Sequence, residues 1–488
     1  MDKSILNNNV LTKQEKLAQK KKDVSKSKTK TSKTKTRDKI SKTIKISNDP
    51  DKQIIKNVKE SATNSKKPMD DKDIDQIKDF ETLKERYESE KDIIKNLYSN
   101  KNHHLYLYDE INNATVFELK KQFLELHKIQ SSPLELEDDP DQSLYYHKKP
   151  IVVHINSPGG DLNAGISLSN IICQSTMEVY IVIEGTSASA ATFVSVIAGH
   201  RYILPYSLIL IHEFFETIST KYEGLKFEAN VGKKIMDMFV SMYMKRTNLS
   251  REKLKMILKR DIYLDKKDIL RYNMVDGIIN KNRDFKDYFR KYPDYDWTEK
   301  DFKDFRFKDM HYYYNIFYFY KTQEDLDKHT IYNKSLDLVK IIHGGMLSDN
   351  TSLPIMIRLS DSTDVDYFSS IYGILPVLNA MLISRVPIYV VIDGPIRNFS
   401  VLIALCAYKC FIYDKAYITF DFVNLISDFP QFDDIISNTR LERSIILDVI
   451  NKHSRIPESI KNKLFTDRFL LEPTECVKYG IAHLWKSC

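Results

Sequence analysis

Apolar residues between positions 105 and 280 follow two alternating spacings, which predict a succession of strands and helices. Four short and almost fully apolar runs are typical of buried strands: LYLY from Leu105, IVVHI from Ile151, EVYIVIE from Glu178 and LILIH from Leu208. Spacings of three or four residues predict helices over Ala114–Leu126 and Leu162–Gln174. The segment Ala188–Ala198 is small and apolar on nearly all sides, so the helix predicted there must be buried. Strands and helices therefore alternate along the chain, as they do in α/β proteins.

A long helix is predicted from Tyr222 to Arg246, after the fourth strand. Its apolar residues form one stripe that needs a partner surface: Phe227, Val231, Ile235, Phe239 and Met242. Ser250 then caps a shorter helix that ends near Lys259. A last helix near Lys266–Tyr272 and a strand near Gly277–Ile279 close this first region.

The same pattern occurs a second time in the C-terminal half of the chain. Residues 183–214 and 392–423 align at a constant offset of 209, and both run from Ile, an acid and Gly through an apolar helix into a strand. Further on, YLDKKDILRYNMVDGII and LLEPTECVKYGIAHLW align at an offset of 207. The sequence therefore predicts an internal repeat.

Charge separates the first 70 residues from the remainder. They hold 20 Lys and Arg against 8 Asp and Glu, a net charge of +12, whereas all 488 residues together carry +7. They contain no aromatic residue, so they cannot bury enough apolar surface to offset the entropy of ordering. We expect residues 1–70 to be a disordered basic tail, either without a specific partner or in weak contact with nucleic acid. Residues 71–99 predict a charged surface helix.

Composition also indicates a compartment. No apolar run reaches the roughly 18 residues of a membrane span, so we expect no membrane contact. The N-terminus lacks the apolar region of a signal peptide. Five scattered cysteines indicate a reducing environment without a disulfide framework, and we expect no metal site from them. We expect an intracellular, cytoplasmic protein; a nuclear or virion location stays open.

Three reactive side chains stand at the ends of predicted elements. Ser189 follows the third strand and a glycine turn, His212 ends the fourth strand, and Asp261 follows the capped helix. A serine hydroxyl needs an adjacent base and the base needs an orienting acid, so the three groups are the minimum set for acyl transfer. Each also has a plainer interpretation: a helix N-cap for the serine, a core hydrogen bond for the histidine and a local ion pair for the aspartate.

The second copy lacks all three groups at the matching positions. Its residues there are Asn398, Asp421 and Arg468, in the order serine, histidine, aspartate. The glycine turn that follows the IVVHI strand is replaced by Asp361-Ser362-Thr363-Asp364, without glycine. Because the groups disappear together, we interpret them as one site in the first copy and the second copy as a scaffold without that chemistry.

Taken together, these segments resemble the ClpP family, the serine peptidase subunit of the Clp proteases, in the ClpP/crotonase superfamily. INSPGG over 155–160 resembles the family's glycine turn, GTSASAATF its nucleophile segment, and LPYSLILIH the segment ending in its catalytic histidine. The spacings of 23 residues from Ser189 to His212 and 49 from His212 to Asp261 are similar to those of the family. The likeness covers about residues 100–282, and reaches 312–486 only through the internal copy.

The resemblance implies a fold and a set of site residues. The fold would be an α/β, ClpP/crotonase-like ββα spiral repeated twice, with a long protruding handle-type helix in the first unit. Ser189 would attack the peptide carbonyl, with the histidine and aspartate as its partners. Gly159 and Ala190 would direct backbone N–H groups at the oxyanion, and Gly160 would contact substrate.

Composition, the internal repeat and the resemblance together give a domain plan, and the resemblance also implies partners. The five parts would be the tail 1–70, the charged helix 71–99, a peptidase domain 100–285, a connector 286–311 and a degenerate ClpP-like domain 312–488. The chain would join a homo- or hetero-oligomeric ring and cut unfolded polypeptides. No cofactor is implied. The chain has no Gly-x-x-x-x-Gly-Lys-Ser/Thr phosphate loop, so ATP would be used only by a partner unfoldase.

Two departures from the family leave other functions open. The family's Met-Gly after the nucleophile is Ala190-Ala191 here, and its Gln-Pro after the histidine is Glu213-Phe214. These changes and the lost second site also fit a non-enzymatic ring or adaptor subunit. A crotonase-like enzyme acting on acyl thioesters is a third hypothesis, which explains Gly159 but gives no role to the Ser–His–Asp spacing.

Overall fold

The computed structural model describes residues 43–44, 103–131, 150–279, 285–292, 315–321, 328–347, 353–361, 371–422 and 429–485. The predicted tail, except for residues 43–44, and the predicted helix 71–99 lie outside these ranges. The described residues fall into two units; in one of them Thr43–Ile44 pairs antiparallel with Glu216–Thr217, and this unit includes residues 216–228. The other described residues belong to the second unit, which therefore contains both predicted copies except for residues 216–228.

The first region is a mainly parallel sheet with helices between its strands. The strands are β1 His104–Leu107, β2 Ile151–Ser157, β3 Val179–Ala188, β4 His200–Ile203, β5 Leu208–Leu210, β6 Tyr263–Leu264 and β7 Gly277–Ile278. The helices are α1 Asn113–Ser131, α2 Leu162–Cys173, α3 Ala191–Ile197, α4 Tyr222–Arg246, α5 Arg251–Leu258, α6 Lys266–Arg271 and α7 Lys286–Lys291. The order β1-β2-β3-β4-β7 is parallel throughout; β5 pairs parallel with the end of β3, and β6 pairs antiparallel with β5.

The predicted elements of this region are confirmed, because their apolar runs are buried. Every residue of β2 is buried, and so are six of the seven residues of α3. The helix predicted from Tyr222 to Arg246 has those bounds. Ser250 caps α5 by accepting a hydrogen bond from the Lys253 N–H at 3.2 Å. Helix α1 runs on to Ser131, past the predicted end at Leu126, and part of the predicted connector is the helix α7.

The second region contains a five-stranded parallel sheet and a smaller three-stranded one. The strands are β8 Asn315–Lys321, β9 Ile355–Asp361, β10 Ile388–Ile392, β11 Ile396–Arg397, β12 Lys409–Tyr413, β13 Ile418–Phe420, β14 Phe469–Leu471 and β15 His483–Trp485. The helices are α8 Lys328–Leu347, α9 Leu375–Ile383, α10 Phe399–Leu405, α11 Phe432–His453, α12 Glu458–Lys461 and α13 Pro473–Lys478, with a 3₁₀ turn at Ile371–Gly373. The sheet orders are β8-β9-β10-β12-β15 and β11-β13-β14.

Strand pairing in the two regions follows the same register. Ser187 faces Ile209 between β3 and β5, and Ile396 faces Ile418 between β11 and β13. Both partners of the second pair lie 209 positions after those of the first, the offset read from the sequence. The strands β10 and β11 are separate where β3 is continuous.

The two regions share a core. Tyr108, Tyr206 and Leu208 of the first region belong to the buried apolar cluster of the second. Helix α9 is buried along its whole length, and its Asn379 side chain accepts from the Tyr206 N–H at 2.9 Å and donates to the Glu184 carbonyl at 2.7 Å. A buried amide bonded in this way orients one region on the other. Within the described residues, no helix is both long and apolar enough to cross a bilayer.

Candidate active site

Ser189 stands where strand β3 ends and helix α3 begins. Its backbone φ is 52°, in the left-handed region, which costs a residue other than glycine roughly 1–2 kcal/mol. The Ser189 N–H donates to the Leu210 carbonyl at 2.9 Å, which fixes the turn against β5. The N-cap position of α3 belongs to Ala190, and no side chain caps it. The interpretation of Ser189 as a helix cap is therefore wrong.

A continuous hydrogen-bonded path joins the three side chains singled out in the sequence. His212 follows β5, and its Nε2 lies 2.8 Å from the Ser189 Oγ. Its Nδ1 lies 2.8 Å from Oδ1 of Asp261. The imidazole is 27% exposed and the Asp261 side chain 8% exposed. A proton on Nδ1 would be held by the carboxylate, which leaves Nε2 to accept the serine proton.

The Asp261 backbone is held on both sides by helix α11 of the second region. Asp434 Oδ2 accepts from the Asp261 N–H at 2.9 Å, and Asn438 Nδ2 donates to the Asp261 carbonyl at 2.8 Å. Asn438 Oδ1 also accepts from the Tyr263 N–H at 2.9 Å, while the Arg260 guanidinium pairs with Asp434 at 2.7 Å. Asp434 and Asn438 are both buried, so the position of the acid depends on the second region.

The glycine turn after β2 packs directly against the serine. Gly159 has a φ of 94° and Gly160 a φ of 138°, conformations that favour glycine. A Cβ on Gly159 would lie 2.6 Å from the Ser189 Cβ, and one on Gly160 would lie 2.3 Å from the Ile111 carbonyl oxygen. Only a bare backbone therefore fits at either position.

The backbone N–H groups of the two glycines differ in whether they already donate a hydrogen bond. The Gly159 N–H donates to the Ser157 Oγ at 3.2 Å, so the donor expected at an oxyanion hole is already used. Among the residues that the structure describes, the N–H groups of Gly160 and Ala190 have no protein acceptor. Gly160 and Ala190 thus carry the donors that remain available to a ligand.

The residues that depart from the ClpP pattern are accommodated by local packing. Ala191 is fully buried in the first core. Helix α2 approaches α3 closely, since a Cβ on Gly165 would lie 3.2 Å from the Ala190 Cβ. The Glu213 N–H donates to the Leu258 carbonyl at 2.7 Å, and Phe214 packs against the first core.

The matching positions of the second region have a similar backbone and different side chains. Asn398 has a φ of 47°, and its N–H donates to the Thr419 carbonyl at 3.0 Å, as Ser189 does to Leu210. Its side chain exchanges two hydrogen bonds with the Asp421 backbone, at 2.6 and 3.1 Å. The Arg468 Nε lies 2.9 Å from the Asp421 carboxylate. These positions therefore carry neither a hydroxyl nor an imidazole, and the carboxylate of Asp421 is paired with a guanidinium. Asp361 ends β9, and residues 362–364 lie outside the described part of the chain.

Sequence patterns do not predict two groups of polar residues around these sheets. Asp434 and Asn438 reach the Asp261 loop across more than 170 residues of chain, so no local spacing indicates the contact. His154 and Glu184 lie in the middle of two predicted buried strands. A polar residue at such a position needs a buried partner, and that is the signal by which they could have been found.

Comparisons with known proteins identify the family. A family model described as Clp protease matches residues 143–282. The proteolytic subunit of the ATP-dependent Clp protease of Mesostigma viride is 27% identical over 133 residues, and the chain spans 58% of its length. Subunit 1 from Chlamydia muridarum is 30% identical over 135 residues, 27% of this chain and 70% of that protein. The chain belongs to the Clp protease family.

The resemblance to ClpP read from the sequence is therefore confirmed, and the family match includes the serine, the histidine and the aspartate. It ends at residue 282, before the second sheet begins. Among solved structures, a mutant ClpP1 from Listeria monocytogenes shares 25% identity, with 38% of this chain and 94% of that chain covered and a TM-score of 0.30.

Proposed function

We propose that this Clp protease family member is a serine endopeptidase that uses Ser189, His212 and Asp261. The observation that carries the proposal is the unbroken path from the Ser189 Oγ to His212 and on to Asp261, with both contacts at 2.8 Å. A serine at a left-handed turn, a base in contact with it and a buried acid behind that base form the arrangement that acyl transfer requires, and few other reactions need it.

The proposed reaction proceeds through an acyl-enzyme. The Ser189 hydroxyl gives its proton to the His212 Nε2 while its oxygen adds to the peptide carbonyl carbon. The C–N bond then breaks, and the imidazolium returns the proton to the departing amine. A water molecule, deprotonated by the same nitrogen, cleaves the ester and restores the serine. Asp261 keeps the imidazole oriented and stabilises its positive charge during both halves.

We assign the oxyanion donors to Gly160 and Ala190. Gly159 was the expected partner of Ala190, but its N–H already donates to Ser157, so Gly159 is better placed as a spacer beside the nucleophile. Each donor aimed at the tetrahedral intermediate contributes about 3 kcal/mol to lowering the barrier.

We also propose that the second region is an inactive copy of the first. Matching registers, a matching left-handed residue and the 209-residue offset support a repeated scaffold. In this view the Arg468–Asp421 pair replaces the base and acid of the first copy.

The assembly and substrate proposals rest on the family. The relatives are named proteolytic subunits of ATP-dependent proteases, so we propose unfolded polypeptides as substrates, a ring as the working form and a separate ATP-driven unfoldase as the partner.

A fluorophosphonate probe, which reacts with activated serines, tests the proposed nucleophile. We expect the full chain to be labelled and Ser189→Ala not to be labelled. Ser195→Ala is the matched control, because Ser195 lies in helix α3, which follows Ser189, and its hydroxyl bonds only to the buried residues Ser187 and Thr192. Equal labelling of wild type and Ser189→Ala would remove Ser189 as the nucleophile.

A non-enzymatic ring or adaptor subunit is the second candidate function, favoured by the lost chemistry around Asn398. It predicts that short unstructured peptides are not cleaved by the purified chain, while an active peptidase or unfoldase co-purifies with it. Cleavage by the chain alone, abolished by Ser189→Ala, would exclude this alternative.

A further inference from the structure

A group of polar side chains, none of them a proposed catalytic residue, lies buried between the first sheet and helix α8. His154 comes from the middle of β2, Glu184 from β3 and His343 from α8, and all three are fully buried. A carboxylate without solvent is costly unless a positive group or several hydrogen bonds compensate for it. The surroundings of Glu184 therefore need an explanation.

The three side chains point one ligand atom each at a common centre. The His154 Nδ1 lies 2.7 Å from the Glu184 Oε1, and the His343 Nε2 lies 3.3 Å from the same oxygen. All three atoms lie within 4.8 Å of one another. Ligands of a tetrahedral zinc ion at its usual bond lengths stand about 3.3 Å apart. The His343–Glu184 contact already matches that spacing, and the His154–Glu184 contact would have to lengthen by about half an ångström. The two histidine nitrogens lie within 4.8 Å of each other, so they would have to approach by at most about 1.5 Å.

The second polar atom of each side chain has a partner of its own. The His154 Nε2 contacts the His104 Nδ1 at 2.8 Å, and the His343 Nδ1 contacts the Tyr106 hydroxyl at 3.1 Å. The Tyr108 hydroxyl donates to the Glu184 Oε2. Metal-binding histidines and carboxylates are oriented by outer partners of this kind, which fix the tautomer and leave one atom for the metal.

At the position that matches Glu184, the second region has a simple ion pair. Arg358 of β9 and Asp393, which follows β10, are joined at 2.8 Å, and Asp393 lies 209 positions after Glu184. One guanidinium, always charged, is enough there. In the first region two imidazoles converge on the carboxylate and a third stands behind them.

Two of these imidazoles, those of His154 and His104, have a lowered pKa and are poor carriers of positive charge. Burial lowers the pKa of His154, against the opposing effect of Glu184. Burial and the neighbouring His154 and His343 lower the pKa of His104 to about 2. Burial raises the pKa of Glu184, but the charges and hydrogen bonds of His154 and His343 outweigh it and hold that pKa well below its ordinary value. A carboxylate beside two imidazole nitrogens is a good set of ligands for a divalent cation.

We propose that His154, Glu184 and His343 form a binding site for a divalent transition metal, with zinc as the best match. Two histidines and one carboxylate suit zinc, and a water molecule would complete the four-coordinate shell. Because His343 belongs to α8 and the other two ligands to the first sheet, the metal would join the two regions. The site would therefore be structural, and none of its three ligands is a proposed catalytic residue.

Zinc content of the full chain tests this proposal directly. The purified protein is incubated with equimolar Zn²⁺, dialysed against metal-free buffer and measured by inductively coupled plasma mass spectrometry. We expect close to one zinc per chain, and a higher melting temperature than after incubation with Mg²⁺. With Co²⁺ as a probe, visible d–d bands of a nitrogen and oxygen site should appear. A wild-type chain that retains no zinc and shows no shift in melting temperature would overturn the proposal.

Single variants assign the bound metal to these residues. His343→Gln and Glu184→Gln should each retain less than a tenth of the wild-type zinc, whereas His127→Gln, a histidine of α1 bonded to Phe123 and Ser175, should retain all of it. Wild-type stoichiometry in a folded His343→Gln chain would refute the site. If both ligand variants fail to fold, the Co²⁺ spectrum of the wild type and its reversible loss on adding dipicolinate decide the question.

Discussion

Ser189 combines an unfavourable backbone with a reactive side chain. Its φ of 52° has an energetic cost, yet the same conformation brings the hydroxyl to 2.8 Å from the His212 ring. Stability and activity therefore make opposite demands at this position. The Asp261 carboxylate, largely buried behind the ring, completes the proposed site.

Removing the serine side chain should separate the two demands. We expect Ser189→Gly to be about 1 kcal/mol more stable than Ser189→Ala, because glycine accepts a positive φ while alanine does not. Both variants should lose hydrolysis. At Ser195, inside α3, the order should reverse, since glycine weakens a helix interior. Urea denaturation measures both pairs; the same order at both positions would contradict the role of the backbone.

Asp261→Asn tests the acid at the end of the proposed proton path. The amide N–H of asparagine would donate to Nδ1, which favours the tautomer with its proton on Nε2. In that tautomer Nε2 cannot accept the proton of the serine. We expect kcat to fall by about 10⁴ with little change in KM, as the loss of this role does in other serine peptidases. Peptide cleavage under saturating substrate gives kcat, and a decrease of less than tenfold would argue against the assignment.

His104 provides a pH test of the buried polar group. Its pKa is lowered to about 2 in the folded chain, so below its ordinary value of 6.5 the unfolded chain takes up a proton that the folded chain does not. Stability should therefore fall as the pH decreases from 6.5, by up to about 2 kcal/mol at pH 5 from this residue. His104→Gln should flatten the decrease, measured by urea denaturation from pH 7 to 5. An unchanged slope would show that His104 does not contribute.

At the scale of elements, helix α11 takes part in a site that belongs to another sheet. Asp434 and Asn438 stand one turn apart on it and bond the N–H and the carbonyl of Asp261. A loop held at both backbone groups can place its side chain with little freedom. The contribution of α11 to the proposed chemistry is thus positional.

Asp434→Asn should weaken this hold without removing any reacting group. The amide carries one acceptor in place of two, so it cannot serve both the Asp261 N–H and Arg260. We expect kcat to fall by about tenfold or more with KM nearly constant. The exposed neighbour Asp433 is the matched control, and Asp433→Asn should behave as wild type. Equal kinetics of both variants would contradict a positioning role for Asp434.

The strands of the first sheet are largely predictable from the sequence, whereas the contacts between the first and the second region are not. Runs such as IVVHI give buried strands, because their side chains have no alternative to the core. The serine, histidine and aspartate are predictable because each ends a regular element. Contacts such as those of Asn379 with Tyr206 and Glu184 depend on how the first region packs on the second. They join residues that are far apart in sequence, so no local spacing predicts them. The hydrogen bond from the Gly159 N–H to Ser157 is likewise not predictable, because it depends on the conformation of one turn.

At the scale of the whole molecule, the two regions form one folded body. The core of the second includes residues of the first, and helix α9 packs on β3 through a buried amide. The first region has a core of its own, but part of its apolar surface is buried by the second, as where Val152 and Val182 pack in one cluster with Met346 and Ile383. The proposed domains 100–285 and 312–488 would then be structural halves of one cooperative unit.

Expression of the halves tests this unity. We expect residues 100–285 alone to be largely insoluble or to bind a hydrophobic dye, because α8 and α9 no longer cover the sheet. Co-expression with residues 312–488 should restore solubility and a single unfolding transition by circular dichroism. A soluble first half with cooperative unfolding and peptide cleavage of its own would contradict the prediction.

The left-handed residue Asn398 makes the C-terminal half a ready template for protein engineering. A designer who writes Asn398→Ser, Asp421→His and Arg468→Asp installs a hydroxyl, an imidazole and a carboxylate on a main chain that already bends in the required way. What such a triple variant would still lack is a glycine loop to receive the negative oxygen, so probe labelling could precede measurable turnover. The activity of this variant would then show how much of the rate of hydrolysis the backbone conformation and the three side chains provide without the oxyanion donors.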